Sequence, residues 1–275
     1  MPCSLLREIW KFGNVAFTCL TVAKYGRMFC TIQFSKSYTK ECLERIGKML
    51  KKLLLKIAKG SFMGKIVGIA FQYCSPVLPV KKVYSSKEII AFCHPQPSYE
   101  NHIIISPKRA VKNLQQMELD SFSKYFVKIW ETAKDICVMH PEYNDSFVIV
   151  ANGGKRQEVQ QVHFHMFTNH EIVNEYSAQE QAESIFYSDR NICVLEHPNP
   201  NWEFHFVIKP VSTVQTAGSE EYKYTYFRSV LHSIDLLNVE FNIVQRGYSL
   251  VYQYNKQKND NEHPVFHIVS GKKQK

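Results

Sequence analysis

Two segments of the chain follow one pattern. His94-Pro95-Gln96-Pro97-Ser98-Tyr99-Glu100-Asn101-His102-Ile103-Ile104-Ile105-Ser106-Pro107 and His197-Pro198-Asn199-Pro200-Asn201-Trp202-Glu203-Phe204-His205-Phe206-Val207-Ile208-Lys209-Pro210 both read His-Pro-x-Pro-x-aromatic-Glu-x-His, three apolar residues, x and Pro. A repeat of that length restricts the fold to one built from two copies of a unit. Each copy continues alike. Between Asp120 and Val138 the residues Phe122, Phe126, Ile129, Trp130, Ala133 and Ile136 trace one helical face, and behind the acidic start Ser219-Glu220-Glu221 the residues Tyr222, Tyr226, Val230, Ile234 and Leu237 trace another. Strand-like runs follow at Phe147 to Ala151, ending in the turn Asn152-Gly153-Gly154, and at Tyr248 to Tyr252. His102 precedes His163 by 61 residues and His205 precedes Val265 by 60. The body is therefore expected to be a duplicated strand-helix-strand unit of the α+β class.

In the run Gln161-Val162-His163-Phe164-His165-Met166-Phe167, polar and apolar residues alternate. On a strand this sends Gln161, His163 and His165 to one face and Val162, Phe164 and Met166 into the core. A neutral imidazole is a competent nucleophile, proton shuttle or metal ligand at pH 7, although two surface histidines on a half-buried strand give the same pattern. The repeat discriminates between positions. The second copy has Val265 opposite His163 and His267 opposite His165, and valine supports no chemistry, so any activity at the middle position belongs to the first copy. A metal site on His163 and His165 needs a third ligand, for which His170 is the near candidate in sequence.

The net charge of +9 suggests nucleic acid until it is divided along the chain. Residues 1–65 hold 13 Lys and Arg against 3 acidic residues, while residues 66–275 hold 21 against 22. The nearly neutral body argues against a large phosphate-binding surface. The basic excess centres on residues 43–59, where Leu43, Ile46, Met49, Leu50, Leu53, Leu54 and Ile57 recur at helical spacing with lysines mostly on the other face. Such an amphipathic helix suits weak association with an anionic membrane surface and equally suits packing against the body. Residues 1–40 show no clear periodicity. The eight cysteines form no CxxC pair, which favours free thiols in a reducing cytoplasm over a zinc site or a secreted scaffold, and no apolar run reaches 18 residues.

The assembled motifs resemble the histidine-triad (HIT) superfamily of nucleotidyl hydrolases and transferases. His102 to Arg109 is similar to that family's strand, Asn152-Gly153-Gly154 to its Asn-Gly turn, Gln157-Glu158-Val159 to the approach segment, and Gln161 to Phe167 to the triad. The resemblance covers residues 63–172 and, more weakly, 173–275, in a tandem arrangement similar to the galactose-1-phosphate uridylyltransferase branch. It implies two HIT-like units, each an antiparallel sheet with a packed helix, forming an intramolecular pseudo-dimer behind a basic extension over residues 1–62. It also implies cleavage at an α-phosphate of a dinucleotide, nucleotide-sugar or nucleoside phosphoramidate through a covalent nucleotidyl-histidine. His163 would be the nucleophile, with His165 and Gln161 beside it, Asn152 and Gln157 as substrate contacts and His102 orienting the nucleophilic ring. No metal or other cofactor is expected, and the chain is expected either as a monomer holding its pseudo-dimer internally or as a homo-oligomer. With Gln161 in the first triad position and Glu158 near the phosphate, a nucleotide-binding pseudoenzyme is the alternative.

Overall fold

The computed structural model describes residues 19–24, 27–32, 80–143, 146–168, 184–211, 220–255 and 264–274. The chain falls into two compact units, Met1–Lys52 and Leu53–Lys275. In the first, β1 (Cys19–Lys24) and β2 (Arg27–Ile32) pair antiparallel, within a region whose sequence shows no clear period. The basic stretch 43–59, the expected boundaries at 62/63 and 172/173, and His170 lie outside the described residues.

The second unit holds a ten-stranded sheet made from β3 (Lys82–Ser85), β4 (Ile89–Cys93), β5 (Glu100–Pro107), β6 (Ser146–Gly153), β7 (Phe164–Thr168), β8 (Ile185–Ser188), β9 (Ile192–Glu196), β10 (Trp202–Pro210), β11 (Tyr248–Asn255) and β12 (Phe266–Lys273). Every pairing is antiparallel, in the order β3-β4-β5-β7-β6-β11-β12-β10-β9-β8. That order is a palindrome about the β6–β11 pair, so the duplicated sequence is a duplicated fold. The central pair is in unbroken register from Tyr248 opposite Gly153 to Asn255 opposite Ser146. The architecture is the α+β, two-unit arrangement expected from the repeat. The short β8 and β9, which match β3 and β4, carried no repeat motif and were not anticipated.

Strand alternation gives the sheet two different faces. One carries Ile103 and Ile105 of β5, Phe164 and Met166 of β7, Phe147 and Ile149 of β6, Leu250 of β11 and Phe266 and Ile268 of β12 into the main core. Helices α1 (Leu114–Glu118), α2 (Asp120–Met139), α3 (Glu220–Phe241) and α4 (Ile243–Arg246) supply the facing side chains. Phe126 of α2 meets Phe227 of α3 at 4.8 Å and Phe164 at 5.4 Å between ring centroids, and each such fully buried side chain stabilises the fold by about 1.5–3 kcal/mol. The opposite face carries His102, His165, His205 and His267, beside a small apolar cluster of Val148, Phe167, Val251 and Val269. The site therefore lies on the sheet face opposite the described helices.

The end of β6 fits against the second copy so closely that only glycine is accommodated. A Cβ on Gly153 would stand 2.1 Å from the Tyr248 ring, and one on Gly154, whose φ is +57°, would stand 2.0 Å from the Val244 carbonyl oxygen. The left-handed backbone adds strain for any L side chain. Gly154→Ala is accordingly expected to lower unfolding stability by about 1–3 kcal/mol, seen as a reduced urea midpoint; an unchanged midpoint would show that this contact does not constrain the turn.

Candidate functional site

A cavity of about 610 Å³ opens on the face opposite the described helices, lined by His94, His102, Asn152, Arg156, Glu158, His163 and His165 from the first copy and by Trp202, Ser249, Val251 and Val269 from the second. Val150, Val251, Val269 and Phe167 give it an apolar floor. Strand period places His165 on the same face as Phe167, while His163 stands just ahead of β7.

Hydrogen bonds set the tautomers. His163 Nδ1 lies 2.8 Å from the Gln161 carbonyl oxygen. A carbonyl only accepts, so Nδ1 carries the proton and Nε2 keeps its lone pair. His102 Nδ1 accepts from the Ser98 backbone N–H at 3.4 Å, so its Nε2 donates to His165 Nδ1 at 2.9 Å. His165 Nε2 then carries a proton, making it a hydrogen-bond donor. One ring is thus left with a lone pair and its neighbour with an N–H, their centroids 4.9 Å apart.

Burial keeps these rings neutral. Desolvation, with His94 nearby, lowers His102 to about 4, and desolvation with His163, His102 and His94 lowers His165 to about 2. His163 is also lowered, chiefly by desolvation, against the opposing influence of the Gln161 carbonyl. A buried charge without a partner is costly, so each ring sheds its proton instead.

The expected residues separate on this geometry. His163, His165, His102 and Asn152 share the cavity lining. Gln161 does not share a face with the two histidines, because β7 begins at Phe164 and the chain before it turns aside. Its side chain is 1% exposed, accepts from Val111 N–H and donates to the carbonyls of Pro107 and Arg109. The Gln157 amide likewise donates to the carbonyls of Lys112 and Val159, and neither glutamine lines the cavity. His94 was overlooked although it opens the repeated motif; its ring stacks on His102 with centroids 4.2 Å apart. Trp202 and Ser249 come from the second copy; Trp202 is the aromatic residue of its repeat motif, and no local pattern marks Ser249.

His94, His102 and His165 also place one nitrogen each within 4.8 Å of one another. Their mutual hydrogen bond and stacking account for that proximity. In the second copy His205 Nε2 lies 3.0 Å from His267 Nδ1, and His197 stacks on His205 at 4.1 Å. The stacked histidines thus recur where Val265 replaces the middle histidine, so they are scaffold common to both copies, and His163 is what distinguishes the first.

Four of these rings make the fold sensitive to acid. His102, His165, His205 and His267 are held at about 4, 2, 2 and 3, against an ordinary 6.5. Below 6.5 the unfolded chain takes up protons that the folded chain refuses, so their contribution is complete above that pH and declines as pH falls. Unfolding stability is expected to drop between pH 6.5 and 4.5 by up to about 1.4 kcal/mol per pH unit for each histidine. A urea midpoint independent of pH across this range would contradict their neutral state.

Residues 75–172 match the HIT domain family. An uncharacterised HIT-like protein of Methanocaldococcus jannaschii is 28% identical over 96 residues, covering 34% of this chain and 72% of that one. Among solved structures, a histidine triad protein from Clostridium difficile is 23% identical over 37% of this chain and 89% of its own, with a TM-score of 0.34. A DUF4931 family protein from Bacillus cereus is 12% identical over 71% and 87%, with a TM-score of 0.48. A GalT-like protein from Arabidopsis thaliana is 8% identical over 71% and 80%, with a TM-score of 0.46.

Proposed function

We propose that this chain, whose residues 75–172 match the HIT domain family, transfers or hydrolyses a nucleoside monophosphate group through a covalent bond to His163. The observation that carries this reading is the hydrogen bond from His163 Nδ1 to the Gln161 carbonyl, which leaves Nε2 with its lone pair on the lining of a cavity suited to a small molecule. In the first step Nε2 attacks the α-phosphorus and forms an N–P bond. The bond from phosphorus to the leaving-group oxygen breaks, and its electron pair departs with that group. The ring becomes a nucleotidyl-imidazolium whose charge the Gln161 carbonyl stabilises. In the second step water or an acceptor hydroxyl attacks phosphorus and releases its proton to solvent, and the N–P electron pair returns to Nε2.

The neighbouring groups have distinct roles in this scheme. His165 Nε2–H and the Asn152 amide donate to the non-bridging oxygens, where negative charge develops. His102 holds His165 in the donating tautomer. Gln161 contributes through its main chain to His163 and through its side chain to the loop at 107–111, so it positions the nucleophile and transfers no proton. Because His102, His163 and His165 are all held neutral, none of the three is a strong acid near pH 7. Leaving groups that depart as weakly basic phosphates are therefore favoured over amines.

Substrates labelled at the α-phosphate test the proposal: a nucleotide-sugar, a dinucleoside polyphosphate and a nucleoside phosphoramidate. Label is expected on the His163 peptide, faster from the first two than from the third, and His163→Ala is expected to lose turnover by about 10³-fold or more. Normal turnover by His163→Ala would overturn the mechanism. Nucleotide binding with no turnover in the wild type would select the pseudoenzyme reading.

A further inference from the structure

The second copy has no nucleophile, yet one of its hydroxyls touches a side chain that carries the first copy's site. Ser249 of β11 stands directly opposite Asn152 of β6 in the central strand pair, and the two share a hydrogen bond of 2.8 Å between Ser249 Oγ and Asn152 Oδ1. Arg156 Nη1 donates to the same Ser249 oxygen at 3.1 Å. The guanidinium is fixed by further donations to the carbonyls of Val269, at 3.2 Å, and Gly271, at 2.8 Å, and it lies 4.4 Å from the centroid of the Trp202 ring.

Donor counting gives this chain a direction. Arginine only donates, so Ser249 accepts from it. The serine has one hydroxyl proton, and the bond to Asn152 Oδ1 uses it. Asn152 is thereby held with its oxygen toward β11, leaving its NH₂ as the group it offers to the cavity it lines. A reversed amide would offer an oxygen to an anionic phosphate and lose the donor.

We propose that Ser249, oriented by Arg156, is a positioning residue by which the second copy sets the Asn152 amide to donate to the phosphate of the substrate. This rests on the nucleotidyl-transfer reading for its consequence but on the relay alone for its geometry. It also gives Arg156 a role that only a joined pair of copies has, since every hydrogen bond named for it reaches β11 or β12.

Two measurements on the full chain test the proposal. With ¹⁵N-asparagine labelling, the Asn152 side-chain NH₂ signals, assigned by their loss in Asn152→Asp, are expected to shift or double in Ser249→Ala and to stay in place in Ser249→Thr, which keeps the hydroxyl. For activity, the rate of His163 labelling by a nucleotide-sugar is expected to fall about tenfold in Ser249→Ala, the effect of losing one well-placed donor, and to recover in Ser249→Thr. The same substitution should cost nothing further when Asn152 is already Ala. Unmoved NH₂ signals in Ser249→Ala, or a loss that persists in full over Asn152→Ala, would overturn the relay. If the wild type is not labelled at His163, the nucleotidyl-transfer reading fails, while the NH₂ signals still decide whether Ser249 orients Asn152.

Discussion

The rest of the fold depends on the antiparallel ladder between β6 and β11. It joins two five-stranded halves into one sheet, leaving β3 and β8 as the outer strands. Because the register is unbroken from Gly153 to Ser146, the pleat of one half fixes that of the other. The helices of both halves then share one core, and both histidine groups face away from it. A slip of one residue at this seam would turn every side chain on β6 or β11 to the opposite face. It would turn either Asn152 or Ser249 out of the cavity and break the contact between them.

Duplication followed by divergence explains the uneven chemistry of the halves. The stacked pairs His94–His102 and His197–His205, with His165 and His267 beside them, have nearly the same geometry in both. His102, His165, His205 and His267 are held neutral chiefly by desolvation, and the stacked pairs pack alike in both copies. His163 and Val265 occupy matching positions and differ in chemistry. The second half contributes instead through what it places beside the first: the Tyr248 ring and Val244 backbone that press on the Gly153-Gly154 turn, and the Ser249 hydroxyl that holds Asn152.

Much of this was legible in the sequence because a repeat is visible without knowing any contact. The paired His-Pro-x-Pro segments gave the α+β duplication, and the exchange of His163 for Val265 confined any chemistry at the middle position to the first half. The alternation from Gln161 to Phe167 misled at one end. Gln161 is claimed by the backbone of residues 107–111, about fifty positions away, and a strand pattern carries no trace of so distant a partner. Ser249 was hidden for the same reason, and Trp202, visible as the aromatic of the second repeat, meets the site only when the second half folds against the first. His94 was visible as the opening residue of the motif, but its stacking on His102 depends on how the loop into β5 bends.

The central claim is that the fold holds His163 as the Nδ1–H tautomer with Nε2 unprotonated. Long-range ¹⁵N–¹H correlation of the histidine rings at pH 7, with His163 assigned by substitution, measures this directly. The expected result is one protonated nitrogen at Nδ1 and an unprotonated nitrogen shift at Nε2 that persists below pH 6.5. An imidazolium pattern at pH 7, or a proton on Nε2 instead, would contradict the account.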